Sequence, residues 1–367
     1  MGIKSVEIQN FKSIKDSGKI ELGNINVLVG ANGSGKSNFI EFFNFLKNIA
    51  EEKLFLYLRR NGSLNKNGMD NILYFGRKES THLSAKISFY DDDIENGYIF
   101  DLSLNNDNVL VFVKEEIFCV KDGLFNNYIL DSKYKDGEET SLKADLKDKR
   151  NKRILNCIEL LKIYHFNDTG FTSNIKIPSA IVDNQLYLRE DGSDIALFLY
   201  NFSNNYPKKF KRLEYIINSI TPTFEKFHFV KHPQVDEIYL QWVENDTIFP
   251  ISSLSDGTLR FICLASILMS PIKPPTIILD EPELGLHPFA IAKLAAMIRI
   301  ASKDSQIILS TQSVELISEF SANDIIIVEK KENQTTFKRQ SEKDLENWID
   351  EYSVGEIWCS NIIGGNP

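Results

Sequence analysis

Hydrophobic and polar positions follow distinct patterns along the chain, and each pattern predicts a different element. Residues 3–8 alternate with period two, as a half-buried strand does, and short apolar runs at residues 20–22 and 25–29 predict two more strands. Apolar residues then recur at three- and four-residue spacing over residues 36–58, which predicts one helix. The polar residues 61–70 predict a loop.

The middle of the chain carries strand patterns first and helical patterns afterwards. Apolar runs separated by Asp, Asn and Gly turns predict an antiparallel meander, with strands at residues 86–90, 98–104 and 109–113. Residues 131–153 are polar and charged, which favours a surface segment. Later patterns predict helices at residues 193–204 and 208–220, and two strands within residues 227–242.

The last third alternates apolar strands with apolar helices. The patterns predict a helix over residues 255–269, a strand at 276–279, a helix at 289–301 and strands at 306–309 and 324–328. Alternation of strand and helix favours a parallel sheet of α/β type.

The tail predicts a strand at residues 335–338 and a helix from Ser341, its N-cap, through Ile349. Tyr352, Ile357 and Trp358 follow. As an exposed cluster they would suit a partner dock, whereas packing on their own domain explains the pattern at least as well.

Composition and charge narrow the class of protein. The 367 residues suffice for two to three domain-sized units or one large α/β domain with insertions. A net charge of -9 argues against a protein that coats nucleic acid broadly, so any DNA contact would need a local patch. The longest apolar stretch, residues 261–269, is shorter than the ~20 residues that span a bilayer, so we expect no membrane partner. The four cysteines lack zinc-ligand spacing and the start lacks a signal pattern, which favours a cytoplasmic protein.

A glycine-rich loop, Gly-Ala-Asn-Gly-Ser-Gly-Lys-Ser at residues 30–37, follows a predicted strand and opens a predicted helix. This context is typical of a phosphate-binding loop (Walker A), in which glycines let backbone N–H groups face the phosphates. Lys36 would add charge at the β- and γ-phosphates, and Ser37 a hydroxyl for magnesium. The motif predicts ATP and Mg²⁺ as cofactors. The residues expected to contact them are Asn32, Gly33, Ser34, Gly35, Lys36, Ser37 and Asn38.

An apolar strand at residues 276–279 runs into Asp280 and Glu281, which is a Walker B pattern. Asp280 would hold the magnesium hydration shell, and Glu281 would orient and polarise the attacking water. The alternative is a plain strand that ends in acidic loop residues, and the upstream phosphate-binding loop argues against it.

The sequence Leu-Ser-Asp-Gly-Thr at residues 254–258 precedes a helix and resembles the signature motif of ABC-type ATPases, Leu-Ser-Gly-Gly-Gln. In that class the serine and glycine of one subunit cap the γ-phosphate held by the other. The resemblance gives these roles to Ser255 and Gly257 and implies a dimer with a second copy of the chain. An ordinary helix N-cap by Ser255 or Asp256 is the alternative.

Residues 310–313, Ser-Thr-Gln-Ser, follow the strand at 306–309, where ABC-type ATPases usually carry a switch histidine. This chain has Gln312. Glutamine can hydrogen-bond a γ-phosphate but cannot carry a proton charge. With Glu281 and Gln312 as catalytic residues, we therefore expect slow or partner-gated hydrolysis.

Two further segments narrow the resemblance to the RecF, OLD and SMC/Rad-type branch of ABC ATPases: Ile-Gln-Asn-Phe-Lys-Ser at residues 8–13 and Asp-Glu-Pro-Glu-Leu-Gly-Leu-His-Pro at residues 280–288. This resemblance implies that Lys12 touches nucleotide phosphate. It also implies that Glu283 and His287 face the partner subunit, although local packing explains His287 equally well.

The fold implied is α/β: a P-loop ABC-type ATPase domain with an N-terminal antiparallel β-rich lobe and a helical and strand insertion between Walker A and the signature. We expect a first ATPase lobe over residues 1–250 with Walker A and the insertion. Residues 251–330 would form a second lobe segment with the signature, Walker B and switch, and residues 331–367 a C-terminal extension.

The chain also departs from the better-known members of this branch. It has no coiled-coil repeat long enough for an SMC arm, and only about forty residues follow Val328, whereas a TOPRIM nuclease domain needs ~100. It looks most like stand-alone bacterial ATPases of anti-phage or DNA-maintenance operons. That likeness implies a separately encoded effector, such as a TOPRIM nuclease.

Two other functions stay open. A RecF-like repair ATPase would bind DNA itself, and two basic clusters could serve this or could be solvated faces. They comprise Lys143, Lys147, Lys149, Arg150, Lys152 and Arg153, and then Lys208, Lys209, Lys211 and Arg212. A transporter ATPase subunit is disfavoured by the strand-rich insert and by the lack of a clear Q-loop glutamine.

Overall fold

A computed structural model describes residues 2–60, 69–91, 94–121, 124–130, 137–144, 147–166, 169–170, 173–182, 186–232, 234–349 and 351–365. The chain forms two compact units. Unit 1 comprises Met1–Lys162 and Ser321–Pro367, and unit 2 comprises Ile163–Phe320. The predicted loop at 61–70 and the polar segment at 131–153 lie partly outside the described residues.

The elements are named in chain order. The first are β1 (Gly2–Phe11), β2 (Ile14–Asp16), β3 (Ile20–Glu21), β4 (Ile25–Val29), α1 (Lys36–Ala50), α2 (Leu54–Arg60) and α3 (Met69–Ile72). Next come β5 (His82–Asp91), β6 (Ile94–Leu104), β7 (Leu110–Lys121), β8 (Leu124–Ile129), α4 (Lys149–Glu159) and β9 (Leu161–Tyr164). They are followed by β10 (Ser179–Ala180), α5 (Ile195–Asn205), α6 (Pro207–Ile220), β11 (Lys226–Lys231), β12 (Glu237–Glu244) and β13 (Thr247–Pro250). The last are α7 (Asp256–Met269), β14 (Thr276–Asp280), α8 (Pro288–Ala301), β15 (Gln306–Thr311), α9 (Val314–Ile317), β16 (Ile325–Lys331), β17 (Gln334–Arg339) and α10 (Val354–Cys359).

Unit 1 contains an antiparallel sheet with the strand order β2-β1-β5-β6-β7-β8, in which β3 also pairs with β1. The run β5-β6-β7 confirms the predicted meander. A second group of strands is ordered β17-β16-β4. In this group β16 runs parallel to β4, with Ile325 opposite Val27 and Ile327 opposite Val29, and β17 is antiparallel to β16.

Phenylalanines on α1 build the core of unit 1. Phe39, Phe42, Phe43 and Phe45 are fully buried, and the ring of Phe42 meets that of Phe11 from β1 edge-on, at 5.7 Å between centroids. Such aromatic contacts add to the free energy gained by burial. They fix the helix that follows the glycine-rich loop, and so fix the loop itself.

Unit 2 combines a small antiparallel sheet with a parallel strand pair. Strands β10, β12 and β11 lie in that order, and β13 pairs with β12. Strands β14 and β15 are parallel, and their register runs from Thr276 opposite Gln306 to Asp280 opposite Ser310. Because parallel strands end at the same edge, the residues after Asp280 and after Ser310 begin side by side.

The predicted single helix over residues 36–58 is wrong, because the chain turns between α1 and α2. Glu52 adopts a left-handed backbone with φ 58°. The carboxylate of Glu139 then accepts hydrogen bonds from the backbone N–H groups of Leu54 and Phe55, at 3.0 and 3.1 Å. Glu139 thereby caps the start of α2. No local pattern could have identified it, because it lies far along the chain from this helix.

The tail also differs from expectation. Ser341 forms the predicted cap, but a single 3₁₀ turn (Glu342–Leu345) follows instead of a helix through Ile349. Leu345 is buried in that turn, whereas Trp348 and Ile349, which would continue its apolar face in a helix, are 40% and 38% exposed. A longer helix would therefore gain little from packing. Ile357 and Trp358 are 1% and 5% exposed, so these two side chains pack within the protein and do not form an exposed cluster with Tyr352.

The compact units are divided differently from the expected segments 1–250, 251–330 and 331–367. The strand pairing of β16 with β4 and β17 joins the end of the chain to its beginning, so the C-terminal residues belong to unit 1. No helix within the described residues is long and apolar enough to cross a membrane.

Candidate functional site

The glycine-rich loop of unit 1 connects β4 to α1, as predicted. A side chain at Gly30 would place its Cβ 2.1 Å from the carbonyl oxygen of Val328, and one at Gly35 would lie 2.1 Å from the Thr335 hydroxyl. Gly35 and Gly33 also have positive φ, at 113° and 76°. These close contacts therefore require glycine at positions 30 and 35, and the left-handed backbone favours glycine at positions 33 and 35.

Lys36 shapes the loop from within. It is 5% exposed, and its Nζ donates to the carbonyl oxygens of Gly30 and Ala31 at 2.6 and 3.0 Å. Asn32, Gly33 and Ser37 are exposed, whereas the Ser34 hydroxyl is buried and lacks a hydrogen-bond partner among the described residues. An unpartnered hydroxyl and a buried ammonium in a glycine loop suit a phosphate group.

A cleft of about 320 Å³ opens beside this loop. It is lined by residues 31–34 and 328–331 and by Gly365, so the end of the chain borders the loop. The cleft gives a ligand at the loop access from solvent.

A chain of hydrogen bonds supports the loop from behind. The Asn38 amide donates to the Ser13 hydroxyl at 2.7 Å, Ser13 bonds the Thr335 hydroxyl at 2.7 Å, and Thr335 donates to the Ser34 carbonyl at 2.8 Å. Ser13 is the last residue of the N-terminal motif, so that motif buttresses the loop. Sequence reasoning missed Thr335, which no motif marks and which reaches the loop through the pairing of β16 and β17.

Lys12 lies at the turn between β1 and β2 in a left-handed conformation, with φ 51°. Its backbone N–H donates to Ile72 O at 2.7 Å. Burial lowers the pKa of its ammonium, a cost that a nearby phosphate would offset. Contact between Lys12 and nucleotide remains a prediction.

In unit 2 the two parallel strands β14 and β15 bring the predicted acidic residues and the switch residues together. The Ser310 hydroxyl donates to the Asp280 carboxylate. Glu281 has φ 45°, a left-handed conformation that costs a non-glycine residue about 1–3 kcal/mol. Its backbone N–H donates to the carbonyl and hydroxyl oxygens of Ser310, each at 3.2 Å, which hold the residue in place.

Gln312 contacts Glu281 directly. Its side-chain Nε2 donates to Glu281 Oε1 at 2.7 Å. An amide donor orients a carboxylate but cannot accept its proton. The structure thus joins the predicted catalytic carboxylate and the predicted switch residue in one hydrogen-bonded pair.

The signature segment begins α7 in unit 2. Ser255 is the N-cap of that helix, and its hydroxyl accepts from the Thr258 backbone N–H at 3.2 Å. A Cβ at Gly257 would lie 2.5 Å from the carbonyl oxygen of Gly285, so glycine is needed for packing alone. The N-cap alternative therefore holds for Ser255, and it leaves a role toward a second subunit open.

Sequence reasoning gave no role to Arg260, which links this helix to the loop after Walker B. The side chain is 7% exposed. It donates to the backbone oxygens of Leu284 and Phe166, the latter at 2.9 Å. An arginine inside an otherwise apolar helix is the signal that could have identified it, since a buried charge needs partners.

Glu283 and His287, which the resemblance placed toward a partner subunit, lie differently in the loop after Walker B. His287 is exposed and caps α8, with Nδ1 accepting from the Phe289 backbone N–H at 3.3 Å. The carboxylate of Glu283 turns inward to Thr311 and Gln312.

These features define an ABC-type P-loop ATPase domain: a strand, glycine loop and helix in one unit, with the Walker B, switch and signature segments in the other. The chain belongs to the family described as "AAA domain, putative AbiEii toxin, Type IV TA system", which matches residues 25–318. The family implies nucleotide binding.

Similar proteins agree with this class. An "ATP/GTP phosphatase" of Helicobacter pylori is 24% identical over 310 residues, which cover 78% of this chain and 77% of that protein. An SMC head bound to the C-terminal winged-helix domain of ScpA superposes with a TM-score of 0.59 at 18% identity, covering 94% of this chain and 100% of that one. An SMC head from Pyrococcus furiosus, with an extended coiled coil and bound to the C-terminal domain of ScpA, gives 0.54 at 14% identity, covering 95% and 99%. These structures confirm the predicted fold.

Proposed function

We propose that this protein hydrolyses ATP slowly, closes into a dimer around ATP, and thereby controls a separately encoded effector in anti-phage defence. The observation that carries hydrolysis is the Gln312–Glu281 hydrogen bond, which aims one carboxylate oxygen at a fixed position. Glu281 is the general base for water in this proposal. An amide in place of a titratable switch residue accounts for slow turnover.

The phosphate-binding roles fall to the glycine loop. Its backbone N–H groups and Lys36 would bind the β- and γ-phosphates, with Asn32, Ser34 and Asn38 in contact or in support. The Ser37 hydroxyl and the Asp280 carboxylate are each an oxygen donor of the kind that suits Mg²⁺. When bound, Mg²⁺ would neutralise phosphate charge.

Dimer closure rests on the signature. In ABC-type ATPases this segment completes the site of the opposite subunit, and here Ser255 and Gly257 occupy it at the start of α7. Two comparisons support a partner protein: the family description names a toxin–antitoxin system, which has two components, and the similar SMC heads are bound to ScpA. An effector nuclease of TOPRIM type is the partner that we propose.

The test of closure is the mass of the protein in solution with and without ATP. A Glu281→Gln variant, which retains ATP, should shift from the 42.0 kDa monomer to twice that mass. Adding Ser255→Arg should prevent the shift, because the bulk of the longer side chain would fill the position that faces the phosphate. Thr247→Arg adds the same side chain on exposed β13 and should not. A monomer under all conditions would contradict closure. The proposed effector should, in addition, co-purify with this protein in an ATP-dependent manner.

A specific surface favours the second candidate, a RecF-like ATPase that binds DNA. Lys208, Lys211, Arg212 and Tyr215 follow one another at helical spacing on α6, and all are exposed, Tyr215 at 73%. These three cations form no ion pair among the residues that the structure describes. The one carboxylate on this helix, Glu214, instead accepts from Phe227 N at 2.9 Å.

In the other basic cluster, at residues 143–153, two cations pair with carboxylates. Arg150 pairs with Asp148 and lies over the Tyr128 ring at 3.8 Å, and Lys143 lies 4.0 Å from Glu159. A paired cation gains less from a phosphate than an unpaired one, because its ion pair must first be broken. The α6 surface is therefore the better candidate for DNA.

Replacement of Lys208, Lys211 and Arg212 by glutamate should abolish DNA binding if α6 carries it. Three phosphate contacts give a slope of about −2.7 for log affinity against log salt, at roughly −0.9 per phosphate. Fluorescence anisotropy with a labelled duplex across a salt series measures this slope. The matched control replaces Lys147, Lys149 and Lys152 by glutamate. Equal losses in both variants, or an affinity independent of salt, would rule the α6 surface out.

A further inference from the structure

We propose that Glu283 is a positioning residue, which holds the switch segment (residues 310–313) so that Gln312 can orient Glu281. This inference rests on the proposed hydrolysis at Glu281. It assigns a role to the acidic residue that follows the two Walker B acids, for which the family resemblance implied a surface facing a partner.

The loop after β14 turns Glu283 inward. The backbone N–H of Leu284 donates to Glu281 O at 3.2 Å, and that of Leu286 donates to Glu283 O at 2.9 Å. These two bonds make consecutive tight turns. They direct the side chain of Glu283 toward the end of β15, where it is partly buried.

One oxygen of Glu283 fastens three consecutive residues. Oε1 accepts from the Thr311 hydroxyl and from the Gln312 backbone N–H, the latter at 3.3 Å. The Thr311 hydroxyl oxygen in turn accepts from the Ser313 backbone N–H at 3.0 Å. Thr311 is fully buried, so this anchor lies in the core of unit 2 and not in solvent.

The backbone of Gln312, held in this way, places its side chain against the catalytic carboxylate. Nε2 of Gln312 reaches Glu281 Oε1 at 2.7 Å. A glutamine side chain has three rotatable bonds and would otherwise sample several rotamers. Fixing its backbone therefore reduces the conformations from which it must find Glu281.

The second oxygen of Glu283 takes no part in these contacts. Oε2 is buried and has no hydrogen-bond partner among the residues that the structure describes. Burial, with a smaller contribution from the charge of Glu281, raises the pKa of Glu283. These contacts require one accepting oxygen, and glutamine has nearly the same shape and the same acceptor.

This chemistry separates two substitutions. Glu283→Gln keeps the accepting oxygen, so its kcat for ATP should stay within about threefold of the wild type. Glu283→Ala removes it, and kcat should fall about tenfold, the effect of losing one to two hydrogen bonds. The affinity for a fluorescent ATP analogue should be unchanged in both. Glu315→Ala removes an exposed carboxylate from the same segment and serves as the control.

Coupling to Gln312 distinguishes positioning from general destabilisation. In a Gln312→Ala background, Glu283→Ala should cause no further loss of kcat, because the side chain to be positioned is already absent. A full tenfold additional loss would overturn the proposal, as would a Glu283→Gln variant as impaired as Glu283→Ala.

A second measurement does not depend on turnover. The Gln312 side-chain amide resonances should move in the ¹⁵N spectrum of Glu283→Ala and stay in place in Glu283→Gln and Glu315→Ala. Unchanged resonances in Glu283→Ala would contradict positioning, whether or not the enzyme is active. Absence of wild-type hydrolysis with the expected spectral shifts would instead contradict the proposed function alone.

Discussion

Glu281→Gln should lower the rate of ATP hydrolysis by about 10²–10⁴-fold, the usual contribution of a general base, while ATP binding is retained. Glutamine is nearly isosteric, so the left-handed backbone at this position and its bonds to Ser310 are preserved. What is lost is the carboxylate that takes a proton from water. The Nε2 group of Gln312 then donates to the amide oxygen of the new glutamine instead of to a carboxylate oxygen, so this hydrogen bond is kept.

Phosphate release under saturating ATP measures this loss, and binding of a fluorescent ATP analogue measures retention. Glu315→Gln is the matched control, since it neutralises an exposed carboxylate four residues after Thr311 without touching Glu281. A variant that hydrolyses ATP within a few-fold of the wild type would exclude Glu281 as the base. Loss of binding together with turnover would instead indicate a damaged fold.

Lys36→Met should weaken ATP binding by about 10–150-fold, which corresponds to about 1.5–3 kcal/mol for hydrogen bonds to a charged group. The ammonium is buried, and it already lies within the loop against the carbonyl oxygens of Gly30 and Ala31. Methionine keeps the length and apolar stem but cannot donate or carry charge. The loop then loses both its internal donor and its charge for phosphate.

Titration with the same ATP analogue gives the affinity, and thermal melting without nucleotide reports on the fold. Lys53→Met removes an exposed lysine that pairs with Glu51 and should behave as the wild type. Unchanged affinity in Lys36→Met would contradict nucleotide binding at this loop. If Lys36→Met also melts at a lower temperature, the weaker binding would instead reflect a destabilised loop.

Local patterns predicted much of the fold. The meander, the helices α5 to α8 and the strands β14 to β16 all appear close to their expected positions. The glycine loop connects a strand to a helix, and Ser255 and Ser341 both cap the turns that follow them. Such features depend on residues within a turn or a strand, so a single sequence contains the information for them.

Features that depend on distant residues were missed. The break between α1 and α2 requires Glu139, which lies 85 residues from Leu54. Thr335 supports Ser34 across 301 residues. Neither contact leaves a periodic pattern, because each joins one side chain to one backbone group.

The sequence by itself determined the class of protein. It also predicted the residues of the glycine loop, Walker B and switch, since these chemistries need fixed residue types at fixed spacing. The tertiary structure alone decided which way the long side chains point. Glu283 turns inward to Thr311 because β14 and β15 are parallel and end at one edge. Ile357 and Trp358 are buried although the sequence allowed an exposed cluster. Burial is set by what the rest of the chain places nearby, and that information lies outside any local segment.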